Sequence, residues 1–273
     1  LEMILDEVIT RPEIMKITKD SEGNEFAELS GSFAANAGIT VRGTYQEDDS
    51  FHMDYYYPYV FGTSITTNEQ IDVEKHAEKE SYAGVCDEVN LGVTLIFYIQ
   101  NVADYLAETN RHLSKIHYGA MLAGLSTEGK ILCPVVERKK NDVPAIQKND
   151  RHNQLIAQAR EGDEDAIESL TLEDMDTYAL LSQRVMKEDI FSIVKSTFMP
   201  FGIESDQYTV LGEIIDCVTM ENKLTHEKLY GMKLLCNNIQ FDVCINEKDL
   251  LGEPAIGRRF RGNVWMQGNL CLE

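Results

Sequence analysis

Apolar positions along the first half of the chain change spacing several times, and each change predicts an element. Leu1, Ile4, Leu5, Val8 and Ile9 recur at helical intervals, and Pro12 ends that helix. The apolar pair Ile14 and Ile17 gives way to a turn, DSEGN at 20–24, and a strand starts at Glu25. In GITVRGTY, Ile39, Val41 and Tyr45 alternate with polar partners. In SFHMDYYYPYVFG, Phe51, Met53, Tyr55 and Tyr57 alternate with His52, Asp54 and Tyr56. A period of two on both sides of the acidic QEDD predicts a half-buried antiparallel hairpin. Residues 63–88 are polar and give no clear element. NLGVTLIFYIQN predicts a strand, because it is rich in β-branched and aromatic residues. NVADYLAETNRHL shows helical spacing through Val102, Tyr105 and Leu106. IHYGAMLAGLSTEGKILCPVV reads as a second hairpin turning at STEGK.

The pattern then shifts. Residues 137–150 are polar, contain a proline and read as a linker. Residues 151–198 read as successive short helices, with Gly162–Asp163 as a stop-and-start signal and TLED at 171–174 as a capping box. Beyond them YTVLGEIIDCVTMEN, KLYGMKLLCNN, IQFDVCINEKDL and FRGNVWMQGNLCL predict four or five short strands joined by turns. Such strands, punctuated by glycine, suit a small closed antiparallel barrel. The fold expected from pattern alone is α+β. It comprises a strand-rich domain over 1–138, a linker and helical segment over 139–203, and a small barrel-like domain over 204–273.

Composition narrows the function classes. The 273 residues carry 25 basic and 46 acidic side chains, a net charge of −21, so phosphate backbones are repelled and nucleic acid is a disfavoured partner. No run approaches the roughly 18 apolar residues that span a bilayer. The longest apolar run, LGVTLIFYI, is strand length, and no secretory signal opens the chain. The chain begins LEMILDEVIT without methionine, so further residues are expected upstream. Cys86, Cys133, Cys217, Cys236, Cys244 and Cys271 form no C-x-x-C pair and read as small hydrophobes in a reducing compartment, with zinc disfavoured.

Reactive motifs are scarce. No G-x-S-x-G, H-E-x-x-H, G-x-x-x-x-G-K-[ST] or G-x-G-x-x-G occurs. The nearest to a reactive cluster is HAEKESYAGVCDE, which brings His76, Glu80, Ser81 and Cys86 close in sequence. A solvated charged segment is the preferred explanation, since adjacency in sequence supplies no catalytic geometry. DSEGNEFAE partly mimics a calcium loop but is too short and misplaces the glycine. No catalytic residue, metal ligand or cofactor is assigned.

One stretch departs from the acidic background. GEPAIGRRFRGNVWMQG gathers Arg258, Arg259 and Arg261 with the only tryptophan, Trp265. On a strand, Arg259, Arg261, Asn263, Trp265 and Gln267 share one face and Phe260, Gly262, Val264 and Met266 the other. Arginine and tryptophan are common at binding interfaces. Arg258, Arg259, Arg261 and Trp265 are therefore the candidate binding residues, for a protein or a small anionic ligand bearing a carboxylate. The reading that the chain's many acids favour over a binding site is an internal clasp, in which the arginines pair with those acids.

HAEKESYAGVCDE, AREGDEDAIESLTLEDMDTY, DQYTVLGEI and FDVCINEKDLLGEPAIGRRFRGNVWMQG together resemble a family of uncharacterised proteins from clostridial Gram-positive anaerobes, a domain of unknown function. The resemblance spans nearly the whole chain. It implies a cytoplasmic bacterial protein and supplies no activity or site residue. The expectation is a cytoplasmic, non-catalytic binding or regulatory module. Two alternatives stay open: a hydrolase using the His/Glu/Cys cluster at 76–87, and single-stranded nucleic-acid binding by the C-terminal barrel.

Overall fold

The computed structural model describes residues 1–135 (except 49, 76–78 and 112–116), 158, 163, 169 and 194–272 (except 204). The N-terminal periodicities become elements where the pattern placed them. Helix α1 (Glu2–Thr10) closes with the Arg11 amide donating to the Glu7 carbonyl at 2.8 Å. Strands β1 (Ile14–Lys19), β2 (Glu25–Ala34), β3 (Ala37–Tyr45) and β4 (Phe51–Val60) follow as an antiparallel meander in sequence order. The hairpin around QEDD forms with Tyr45 opposite Phe51, but a bulge between Arg42 and Gly43 shifts the register by one residue, so Val41 lies opposite Tyr56 rather than Tyr55. The apolar stripe of α1, Leu5 and Val8, packs on Ala27, Leu29 and Val41 and forms a small core of its own.

A second sheet holds β5 (Thr67–Lys75), β6 (Tyr82–Glu88), β7 (Val93–Ile99), β8 (His117–Leu132), β9 (Thr197–Pro200), β10 (Gln207–Glu221), β11 (Lys228–Cys236), β12 (Ile239–Asn246), β13 (Leu250–Leu251) and β14 (Arg259–Leu270). Helix α2 (Val102–Asn110) links β7 to β8 and buries Val102, Ala103 and Leu106 in the main core. The sheet is organised around its two long strands. β8 and β14 pair antiparallel from Ala120–Leu270 to Leu132–Arg259. Along one part of this ribbon β12 joins β8, β10 joins β14, and β11 closes the circuit between them. Along the other part β5 joins β8, β7 joins β14, and β6 closes a second circuit. Phe97, Leu122, Phe241, Phe260, Val264 and Met266 fill the core that runs through both.

These pairings overturn the α+β reading. Fourteen strands stand against two α-helices and one 3-10 turn (Glu247–Asp249) among the described residues. The C-terminal strands do not close a small barrel by themselves. Their circuit needs β8, which lies in the N-terminal half of the chain, because β12 pairs in parallel with Ala123–Ser126 and β14 pairs with β8 along its length. Pairing over more than a hundred intervening residues is invisible to a local pattern. The second hairpin is also corrected. β8 runs straight through STEGK, with Gly129 opposite Gly262. Gly129 is there for space rather than for a turn: a Cβ on it would lie 2.4 Å from the Phe260 ring. The linker at 137–150 lies outside the described residues, and so does the helical segment at 151–198 apart from 158, 163, 169 and 194–198. At that end the helical reading is corrected, because Thr197 and Phe198 belong to β9 and pair with β10.

The chain divides into two compact units, Leu1–Leu132 with Ser196–Glu273, which carries every element named above, and Cys133–Lys195. No helix among the described residues is long and apolar enough to cross a membrane.

Candidate functional site

The arginine-rich segment becomes β14, and its two faces separate as the period of two requires. Phe260, Val264 and Met266 are buried in the main core. The opposite face is a row of polar groups, each with a different cross-strand neighbour. Arg259 is buried and lies opposite Glu213 of β10. Arg261 lies opposite Leu211 on one side and Lys130 of β8 on the other. Asn263 accepts the Thr209 hydroxyl at 2.7 Å and donates to the Glu128 carboxylate. Trp265 donates its indole N–H to Asp206 at 2.7 Å and packs against Tyr98 and Tyr57, with ring centroids 5.3 and 6.4 Å away. Gln267 is fully buried, accepts the Val60 amide and the Gln100 side chain, and donates to the Pro58 carbonyl.

Arg258 falls just outside the strand, exposed, and donates to the Glu253 carbonyl at 2.7 Å. The four candidate residues are therefore not one cluster. Trp265 belongs to a tyrosine-rich contact between the two sheets. Arg261 belongs to an open groove of about 370 Å³ beside β14, which Lys130, Thr209, Asn263, Glu128, Asp249 and Phe201 also line.

The sequence pattern overlooked Lys130 because nothing local to STEGK pairs it with β14. Register is the missing signal. Directly opposed residues of an antiparallel pair share a face with Cβ atoms about 5 Å apart, and like charges there are unfavourable. Within the row just described, Arg261 is the residue whose cross-strand neighbour carries the same charge.

A second overlooked arginine lies between the sheets. Arg42 of β3 is fully buried. Its Nε donates to Glu28 at 2.9 Å, and its terminal nitrogens donate to the hydroxyls of Tyr55, Tyr57 and Tyr98 and to the carbonyls of Ile99 and Gln100. Burial by itself would lower its pKa, but the facing Tyr57 and Glu28 hold it well above the usual arginine value. With every donor direction spent on the protein itself, this guanidinium is a structural tie.

The residues of the hydrolase alternative are placed as follows. His76 lies outside the described residues. Cys86 is buried in the main core, and burial pushes its thiol up to about 12, so it carries no thiolate near neutrality. Glu80 accepts from Ser21, Tyr82 and Lys75, and Lys75 also donates to Ser21 at 3.0 Å. Burial raises the Glu80 carboxyl, but these donors outweigh it and hold the group below its ordinary range. Lys75 is a donor to the serine, so it is not placed to accept the serine's proton. Among the described residues no group of three or more His, Cys, Asp and Glu side chains is arranged to hold a metal ion.

A family model described as a domain of unknown function from an E. rectale gene description, DUF3881, matches residues 1–268, and the chain belongs to that family. No curated protein and no solved structure matches the chain.

Proposed function

We propose, for this member of a family without an assigned activity, a cytoplasmic binding protein that performs no covalent chemistry. Its ligand is a small carboxylate-bearing anion held in the groove beside β14. The observation that carries the reading is the cross-strand juxtaposition of Arg261 and Lys130 on a chain of net charge −21. An anion between them would meet two cations at once, one of them a planar guanidinium suited to a carboxylate, although Glu128 and Asp249 also line the groove. The Thr209 and Asn263 polar groups lie beside it. Compact anions are favoured over polyanions, because the overall charge repels an extended phosphate backbone.

Arg259 has a different assignment. It is buried opposite Glu213, which supports the internal clasp expected for part of the arginine cluster. The cytoplasmic placement rests on cysteines used as small core residues, with Cys86, Cys236 and Cys244 buried. Calorimetric titration with citrate tests the reading. Binding at low salt that weakens steeply as salt rises is expected. No heat with citrate, succinate or inorganic phosphate at low salt would defeat it, and a steep salt-dependent affinity for oligonucleotides would favour the nucleic-acid alternative instead.

A further inference from the structure

The β2–β3 turn is built from small residues, AANAG at 34–38. Asn36 takes a left-handed conformation (φ 57°), which asparagine tolerates, and its carbonyl accepts the Phe61 amide at 2.8 Å. Gly38 can be nothing larger, since a Cβ would stand 2.1 Å from the Gly31 carbonyl and 2.7 Å from the Tyr59 hydroxyl. Small side chains at Ala34, Ala37 and Gly38 leave space unfilled where the four-stranded sheet meets β8, β11 and β12. The result is a cleft of about 300 Å³, at the small end of the range of ligand sites.

Its walls are apolar and only partly covered. Phe33, Ile39, Leu125 and Leu229 are half-buried along it, and Leu224, 45% exposed, stands among the lining residues on the β10–β11 turn. That turn is fixed to β2 by the Lys223 amide, which donates to the Phe33 carbonyl at 2.8 Å, so the opening is held by backbone. The polar lining groups are already engaged. Ser126 donates to the Glu128 and Asn263 carbonyls. Asn246 accepts the Lys248 amide and donates to Glu227. Asn222 accepts the Leu224 and Thr225 amides. Charged residues make up 26% of the chain, yet no Asp, Glu, Lys, Arg or His lines this cleft. Its two ionisable groups, Tyr59 and Cys244, are pushed by burial up to about 12 and about 11 and are neutral near pH 7.

We infer that this cleft is a second ligand site, separate from the β14 groove, and that it takes a neutral apolar small molecule carrying a medium-length alkyl chain. The lack of charge selects against ionised head groups, since an ion moved beside these walls would lose its hydration without a partner. The alkyl chain is selected because the walls offer hydrophobic area and the lining hydrogen-bonding groups named above are already occupied.

The experiment uses 1-decanol as the probe, with decanoate and decylammonium as charged controls, read by saturation-transfer NMR on the full chain. Decanol is expected to bind one per chain, at least tenfold tighter than either charged control. Leu224→Glu, at an exposed position, is expected to weaken decanol at least tenfold without moving the melting temperature. Ala37→Phe is expected to fill the cleft and abolish binding, and if that variant fails to fold, Leu224→Glu decides. No decanol binding, equal binding by Leu224→Glu, or tighter binding of a charged control would each overturn the inference.

Discussion

Arg42 and Glu28 face each other across β3 and β2, with Nη2 and Oε2 2.8 Å apart and both side chains buried. The same guanidinium reaches the Gln100 carbonyl at 2.7 Å, so one residue ties the four-stranded sheet to the end of β7. Removing one member of such a pair leaves the other charge buried and alone, which costs about 3–5 kcal/mol. Arg42→Ala is therefore expected to lower the urea unfolding free energy by about that amount. Arg42→Met combined with Glu28→Leu is expected to recover most of it. A small loss in the single variant, about 1 kcal/mol or less, would show that the tie is not set as described.

The Glu80 carboxylate gives an acid-side prediction. Its pKa in the folded chain lies below the usual 4.5. A depressed carboxyl contributes stability above its unfolded pKa and loses it as pH falls through the folded value. Glu80→Gln is expected to be less stable than the parent at pH 7. The gap should narrow progressively below about pH 4.5, with thermal melts across pH 3–7 as the measurement. A gap that stays constant with pH would contradict this.

Thiol accessibility should divide the cysteines. Cys86 and Cys236 are buried with thiols pushed up to about 12, whereas Cys133 is exposed. Native alkylation at pH 8, followed by peptide mapping, is expected to modify Cys133 first and to leave Cys86 and Cys236 unmodified until denaturant is added. Fast labelling of Cys86 in the native state would revive the nucleophile alternative.

Gly129 tests the continuous β8. Gly129→Ala is expected to cost about 1–3 kcal/mol through the clash with Phe260. Adding Phe260→Leu is expected to return part of that loss. If Gly129 instead sat in a hairpin turn, Phe260→Leu would make no difference to it.

Much of the local structure was legible. Both helices among the described residues, the QEDD hairpin and the strands β7, β10, β11, β12 and β14 follow from periodicity and turn residues. Two things were not. Alternation shows that a strand has two faces, but not that both are buried. Thr40 and Arg42 occupy the polar positions of GITVRGTY, yet they are 2% and 0% exposed because a second sheet covers them. Long-range register was equally hidden. Nothing near Lys130 announces Arg261, and nothing near STEGK announces a partner strand at 259–270, so a glycine needed for packing read as a turn. The candidate site was half legible. The sequence singled out the arginines, but only pairing separates Arg259, opposite an acid, from Arg261, opposite a base.

The most direct measurement is citrate titration of Lys130→Ala/Arg261→Ala beside its thermal melt. The anion-groove account predicts that citrate heat disappears while the melting temperature stays within about 2 °C of the parent, less than 1 kcal/mol for a unit of this size. A melting temperature lowered by about 6 °C or more with citrate binding intact would contradict it and make Arg261, like Arg259, part of an internal clasp.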